Sequence, residues 1–217
     1  HKPKTIAIGK RSNKFYLMSI KSFKKSLFFF VLSILLINNS HAISPKDFVQ
    51  QTVDEAAIAL GQNISKELKI VKLKTIANKS VDIEGIGLYS IGKRRKELSD
   101  SERQEYLEIF RKYFLKSFSS RLAQYSDPKI RVDSEKYLNK KYTMVSSVLV
   151  ATDDKPEVKI DWRVITKDPE NPLIIDVIIE GVSLAKVQKE EFNAIIQNND
   201  GDINALFKNL LDFVNKE

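Results

Sequence analysis

The spacing of apolar residues changes along this chain, and that change constrains the fold more than any other feature. Between Val158 and Val164, apolar residues alternate with Lys159, Asp161 and Arg163, which is the pattern of a strand with one buried face. Segments of this kind are separated by residues typical of turns, and they run from Ile130 to Tyr137, Tyr142 to Thr152, Val158 to Lys167 and Leu173 to Val182. The pattern predicts four strands in an antiparallel meander.

The residues on both sides of this region have helical spacing. Ser44 and Pro45 are typical of a helix start, and Gly61 ends the first predicted helix. A second helix is expected from Ser65 to about Ala77, followed by a short irregular or helical link from Asp82 to Gly92. Two amphipathic helices are predicted near the C-terminus, with apolar positions at Phe192, Ile195 and Ile196, and at Ile203, Leu206, Phe207, Leu210, Leu211 and Phe213.

The best-defined helix begins at a capping box, in which Glu102 follows Ser99 by three positions. Beyond it, apolar residues recur at steps of three and four, and most of them are aromatic: Tyr106, Phe110, Tyr113, Phe114, Phe118, Leu122 and Tyr125. Such a stripe is the core face of a helix, the wall of a ligand cavity, or both. Helices flank a strand-rich middle and no internal repeat is present, so the sequence predicts one α+β domain.

Residues 1–42 have the features of a secretory leader. A basic segment at 21–25 precedes the apolar run from Leu27 to Ile37, and the small residues Ser40 and Ala42 occupy positions −3 and −1 of a signal-peptidase site. The run is shorter than the roughly 20 residues of a membrane span. We expect a leader that starts at Met18 and is cleaved after Ala42, leaving a single exported domain of residues 43–217. An uncleaved membrane anchor is the alternative.

Cleavage at this point would change the chemistry of the chain. Residues 1–42 contain both histidines and eight of the 36 Lys and Arg residues but no acid, so the remainder carries 28 basic and 28 acidic residues. This balance argues against nucleic acid as a partner. The chain also has no cysteine. Without histidine or cysteine, a Ser-His-Asp triad and the favoured zinc sites are excluded, so we expect no enzymatic activity, no metal and no cofactor.

Two carboxylate pairs and one basic run leave alternatives open. Asp153-Asp154 lies in a predicted hairpin loop and is interpreted as a solvated turn. Asp176 and Glu180 could project into a cavity, but we expect them on the surface. The run Lys93-Arg94-Arg95-Lys96 is either a solvated loop beside a helix or a contact for an anionic lipid headgroup or an acidic partner.

Three stretches of the chain resemble the MlaC family of periplasmic phospholipid-binding proteins, also called toluene-tolerance auxiliary components of an ABC transport system. The resemblance covers roughly residues 45–213. It is carried by Ile91-Gly92 through Ser99, Arg103, Phe110, Phe114, Ser120-Arg121-Leu122 and Tyr125-Ser126; by Ile160-Asp161-Trp162-Arg163-Val164; and by Asp176-Val177-Ile178-Ile179-Glu180-Gly181-Val182-Ser183-Leu184 with Gln188, Glu191-Phe192 and Ile196. The chain departs from the family at Lys93 to Lys96, where an aromatic residue is common, and at Asn199 to Asp202, where the family has Gly-Gly-Asp.

The resemblance implies a curved antiparallel sheet of about four strands, backed by the N- and C-terminal helices, with an apolar cavity between them. It also implies a periplasmic shuttle in a Gram-negative bacterium, which carries phospholipid between an outer-membrane lipoprotein–porin complex and an inner-membrane ABC transporter complex with a substrate-binding ring. The alternatives are a small cavity-bearing enzyme that uses carboxylates and a structural envelope adaptor without a ligand.

A lipid carrier needs an apolar cavity, because burying one acyl chain of roughly 16 carbons represents on the order of 10 kcal/mol of hydrophobic transfer. The aromatic helix and the apolar face of the sheet are the two walls that the sequence offers. We therefore predict lipid-binding residues at Tyr106, Phe110, Tyr113, Phe114, Trp162, Val164, Val177 and Ile179.

Overall fold

The computed structural model describes residues 43–153 and 155–216. Residues 42–217 form a compact unit of their own. The predicted leader lies outside the described residues, so its start at Met18 and its cleavage after Ala42 stay predictions. In the described part of the chain, no helix combines the length and the apolar character that a membrane span requires.

Six α-helices and one short 3₁₀ turn form the helical part of the described residues. They are α1 Pro45–Gly61, α2 Lys66–Ser80, α3 Ile83–Ser90, the 3₁₀ turn Gly92–Lys96, α4 Asp100–Leu122, α5 Leu184–Gln197 and α6 Ile203–Asn215. Each α-helix starts after a Ser or Asp whose side chain accepts a hydrogen bond from the first turn, as at Ser44, Ser65 and Asp82. The capping box predicted at Ser99 and Glu102 is present. The link after Asp82 is a true helix, α3.

The strands form one antiparallel sheet in sequence order. They are β1 Ile130–Asn139, β2 Tyr142–Leu149, β3 Val158–Ile165, β4 Leu173–Ile179 and the two-residue β5 Val182–Ser183. The α+β class and the four-stranded meander are confirmed. The fourth predicted strand was too long, because Glu180 (φ 48°) and Gly181 (φ 82°) make a tight turn and the chain returns as β5.

One face of the sheet is covered by α1. The face bears Val145, Trp162 and Val177, which lie side by side on β2, β3 and β4. A register shift after Arg163 pairs Val164 with Ile174 and leaves Ile175 as the extra residue of β4. The opposite face bears Arg163 and its partner Asp176.

The core consists of two clusters. The helix cluster is built from α3, α4, α5 and α6, with Tyr106, Phe110, Phe192, Leu206 and Leu210 among its fully buried members. The sheet cluster joins α1 to the sheet through Val49, Val53, Val132, Val145, Val164 and Ile174. Val81, between α2 and α3, packs against both clusters. It also bridges to Ile174 of β4, so the helical part and the sheet are joined at this point.

Candidate functional site

The first four predicted lipid-binding residues lie together in the helix cluster. Phe110 is at its centre, with ring centroids 5.8 Å from Tyr106, 6.2 Å from Tyr113 and 6.1 Å from Phe114. Phe192 of α5 meets Phe110 edge-on at 6.0 Å. This part of the stripe on α4 therefore packs against neighbouring helices, as the core interpretation expects, whereas Tyr125 lies beyond the end of α4 and is exposed.

The two tyrosines of this group keep their hydroxyls paired. Tyr106 donates to the carbonyl oxygen of Gly87 at 2.8 Å, and Tyr113 donates to the side-chain oxygen of Gln188 at 3.2 Å. Burial raises the pKa of Tyr106 well above its usual value, and burial is also the main cause of the raised pKa of Tyr113. Both side chains are therefore neutral at physiological pH and suited to an apolar environment.

The other four predicted residues lie on the α1-covered face of the sheet. Val164 is buried in the sheet cluster, while Trp162 and Val177 pack against it and pair across β3 and β4. Ile179, opposite Ile160, is partly buried. The indole N–H of Trp162 donates to the Ser147 hydroxyl at 2.8 Å, so the polar atom of the ring has a partner inside the fold.

The structure thus brings four of the eight residues together in the helix cluster and three, Trp162, Val164 and Val177, in the sheet cluster, while Ile179 lies on the same face of the sheet outside both clusters. None of them lines either of two cavities that open between elements of the fold. Their role in lipid binding stays a prediction.

The larger of these two cavities has a volume of about 510 Å³. It lies between α3 and the face of the sheet opposite α1, and we name it the α3 cavity. Its apolar wall comes from α3, from the β1–β2 hairpin and from the ends of β3 and β4: Ile86, Tyr89, Leu138, Tyr142, Ile165 and Ile175. Ile86 also belongs to the helix cluster. The volume falls within the roughly 300–1,000 Å³ typical of ligand pockets.

The polar side of the α3 cavity is held by Arg163 and Asp176. Asp176 is buried and accepts hydrogen bonds from the Ser183 hydroxyl at 2.6 Å and the Ala185 amide at 3.0 Å. Arg163 lies 3.5 Å from the same carboxylate. The expectation that Asp176 lies on the surface was wrong, because the turn at Gly181 returns the chain and brings these donors beside it.

Sequence reasoning missed this cavity for two reasons. The alternation in β3 predicted only one buried face, so the face that carries Arg163 was expected to be exposed; Ile165, an apolar residue on that face, was the one available signal. Ile175 enters the cavity wall through the register shift of β4, for which the alternating pattern contains no signal.

The second cavity, about 440 Å³, lies between α1 and the start of β1. Its wall is more polar, with Gln50, Asp54, Asp127, Lys129 and Arg131 beside Val53 and Ala57. Within the described residues, no group of three or more His, Cys, Asp and Glu side chains is arranged to hold a metal ion.

Comparison with known proteins gives two findings. A family model described as MlaC protein matches residues 50–212. Among solved structures, a phospholipid-binding protein from Ralstonia solanacearum, in complex with a phospholipid, has the same fold with a TM-score of 0.66 and 16% identity. The match covers 79% of this chain and 97% of that protein. No curated protein matches the sequence.

Proposed function

The chain belongs to the MlaC protein family, and from this membership we propose that it binds phospholipid and is not an enzyme. The family match over most of the chain is the observation that carries the proposal. It is supported by the fold shared with the Ralstonia solanacearum protein, whose structure contains a phospholipid.

The proposed site for the acyl chains begins at the α3 cavity. Its wall is mainly apolar, and Ile86 connects it to the helix cluster. Val81 in turn joins the helix cluster to the sheet cluster. We propose that the two clusters move apart at Val81 when lipid enters. The eight predicted residues would then form the deeper walls of the site.

The free energy of transferring an acyl chain into water also constrains the proposed transport role. Release of an acyl chain into water would cost on the order of 10 kcal/mol, so the lipid must pass directly to an apolar acceptor. We propose that the protein works in the periplasm of a Gram-negative bacterium and exchanges phospholipid with an inner-membrane ABC transporter complex and an outer-membrane lipoprotein–porin complex.

The carboxylates at the α3 cavity support a binding role over catalysis. Asp176 is held by three partners, including Arg163. Asp82 accepts the Gly85 amide at 2.9 Å and so caps α3. Both groups therefore have structural partners, which argues against the alternative of an enzyme that uses these carboxylates.

The proposal is tested by extracting lipids from purified residues 43–217, which contain both core clusters, and analysing the extract by mass spectrometry. We expect phospholipid at a defined ratio to protein, and binding of labelled phospholipid to the delipidated protein. Absence of both would contradict the proposal and favour an adaptor without a ligand.

The location of the site is tested by filling each cavity separately. Ile165→Trp should reduce phospholipid occupancy, because the larger ring would occupy the α3 cavity. Ala57→Trp, at the second cavity, is the matched control and should leave occupancy unchanged. Equal effects of the two variants would contradict the proposed location.

The deeper walls are tested at Trp162. Trp162→Ala should lower occupancy if the sheet cluster contacts the acyl chains. Wild-type occupancy combined with lower stability would show that Trp162 is only a core residue.

A further inference from the structure

The 3₁₀ turn after α3 concentrates positive charge beside the α3 cavity. Lys93, Arg94, Arg95 and Lys96 are consecutive, and α3 itself contributes Ile86 and Tyr89 to the cavity wall. Within the described residues, none of these four cations has a carboxylate within ion-pair distance. Their charge is therefore available to an external partner.

Lys189 of α5 adds a fifth cation to this surface. Its ammonium lies 5.0 Å from the centre of the Tyr89 ring, in a cation–π arrangement. The Lys189 side chain also passes close to Gly92, where a Cβ atom would lie 3.3 Å from its Cε. Gly92 has a φ of 58°, a backbone conformation that glycine adopts without strain. Its lack of a side chain also leaves room for Lys189.

The same surface carries an exposed aromatic ring. Tyr89 is 43% exposed although it lines the cavity, and Leu138 on the facing hairpin is equally exposed. Tyrosine with cations around it is typical of the interface between water and lipid headgroups. Four carboxylates lie near these cations in the sequence. Glu97 follows the turn, Asp100 is engaged by Arg103 at 3.5 Å, Glu190 by Lys186 at 3.8 Å, and Glu191 accepts a hydrogen bond from Gln188 at 3.2 Å.

We propose that this surface, formed by Lys93 to Lys96, Lys189 and Tyr89, docks the protein on an anionic phospholipid bilayer with the mouth of the α3 cavity towards the lipid. Anionic headgroups attract clustered cations, and Tyr89 enters the headgroup layer beside the cavity that takes up the acyl chains. The proposal goes beyond the carrier function, because a carrier could exchange lipid through protein partners alone.

A second lysine-rich surface lies on α2 and does not border the α3 cavity. Lys69 donates to the Leu60 carbonyl at 2.7 Å, and Lys79 pairs with Glu55 at 3.0 Å. The other three lysines of this helix are Lys66, Lys72 and Lys74. Replacing these three removes the same number of positive charges as replacing three cations of the proposed surface, so α2 provides a matched control.

Docking is tested by flotation of residues 43–217 with vesicles of phosphatidylcholine, with and without phosphatidylglycerol. Each cation near the surface contributes about fivefold to binding, so K93Q/R95Q/K96Q should reduce the partition coefficient on the order of 100-fold. Arg94 is kept because it donates to Asn193 at 3.2 Å. Binding should also fall when salt rises from about 0.1 M to about 1 M, because the Debye length shortens from roughly 10 to 3 Å.

The control variant K66Q/K72Q/K74Q should bind the vesicles almost as the wild type does. An equal loss in both variants would show attraction without a defined surface and would overturn the proposal. The proposal would also be overturned if the wild type did not bind anionic vesicles but did bind polyglutamate. That result would indicate an acidic protein partner instead.

The orientation is tested with brominated lipids in the vesicles. Tyr89→Trp should add fluorescence that these lipids quench. Tyr125→Trp is the matched control, because Tyr125 is 47% exposed and also has a lysine, Lys155, 5.9 Å from its ring centre. Stronger quenching at Tyr125 would overturn the proposed orientation. Phospholipid occupancy measured on the same samples separates failure of docking from failure of the carrier function.

Discussion

Gly87 shows how closely α3 approaches the aromatic helix. A Cβ atom at this position would lie 2.7 Å from Cδ1 of Phe110, whose ring is held on several sides by other aromatic rings. We expect Gly87→Ala to lower the free energy of unfolding by about 1–2 kcal/mol, because overpacking exceeds the gain in helix propensity. Urea titration measures this change.

The control for this prediction is Gly61→Ala at the end of α1. A Cβ atom there would meet only Asp127 Oδ1, at an ordinary contact distance of 3.9 Å. This variant should be neutral or slightly stabilising. Unchanged stability in Gly87→Ala would mean that Phe110 is free to move, which would contradict the tight packing of α3 on α4.

The buried tyrosines predict loss of stability in alkali. Burial raises the pKa of Tyr106 and Tyr113, so the folded state keeps these protons at a pH where the unfolded chain, with tyrosines near pKa 10, loses them. Their contribution is complete below about pH 10 and decreases as pH rises further. For Tyr106, the more deeply buried of the two, the free energy of unfolding should decrease by about 1.4 kcal/mol per pH unit in this range, while Tyr113 contributes in the same direction.

Tyr106→Phe tests this explanation. It should cost about 1 kcal/mol at neutral pH, because the hydrogen bond to Gly87 is lost, and it should make the alkaline decrease less steep. Tyr137→Phe, at an exposed position, should change neither value. Equal pH slopes in Tyr106→Phe and the wild type would exclude Tyr106 as a source of the effect.

At the scale of elements, the capping box of α4 links helix stability to pH. The Ser99 hydroxyl and amide hold the Glu102 carboxylate and lower its pKa below the usual 4.5. Ser99→Ala should destabilise the protein by about 1 kcal/mol at neutral pH. The difference from wild type should shrink as pH falls through the lowered pKa of Glu102, since a protonated carboxyl no longer completes the box. Thermal unfolding followed by circular dichroism measures both effects.

Glu102→Gln separates the cap from its titration. Glutamine keeps an acceptor for the Ser99 amide but carries no charge, so the contribution of the cap should become independent of pH in this range. An unchanged acid dependence would assign the effect to other carboxylates.

The elements that could be predicted are those with a complete local signal. Ser65 marked the start of α2, and the alternation around Trp162 marked β3, because capping chemistry and residue period act within a few positions. The turn at Glu180-Gly181 was missed although Gly181 was visible, since the apolar run around it continued. The register shift at Ile175 depends on pairing between strands and has no local signal.

The candidate site depends on contacts between distant segments, so less of it could be predicted. The sequence placed Phe110 and Trp162 on apolar faces correctly, but it could not show that these faces belong to separate clusters. Likewise, Asp176 is buried beside Ser183 and Ala185, which donate hydrogen bonds to its carboxylate. These contacts form only when the chain folds, so the sequence did not predict them.

For the whole molecule, the central question is whether the two clusters unfold together. Val81 packs against both clusters, and the Asp82 amide after it donates to the Ile174 carbonyl at 3.0 Å. These contacts couple the helical part to the sheet. We therefore expect residues 43–217 to unfold in a single cooperative transition. Fluorescence of Trp162, the one tryptophan of the chain, follows the sheet cluster, and the helix signal in circular dichroism follows the helices.

Val81→Ala tests this coupling. The variant should lower the free energy of unfolding by about 1–2 kcal/mol, because the smaller side chain leaves space between the clusters. If Val81 is the point of coupling, the two signals should also separate along the urea axis in the variant, while they coincide in the wild type. Lipid-loaded wild type should unfold at a higher urea concentration than the delipidated protein, because lipid stabilises only the folded state. Coincident transitions in the variant would show that the clusters are coupled through other contacts, and the proposed opening at Val81 would be wrong.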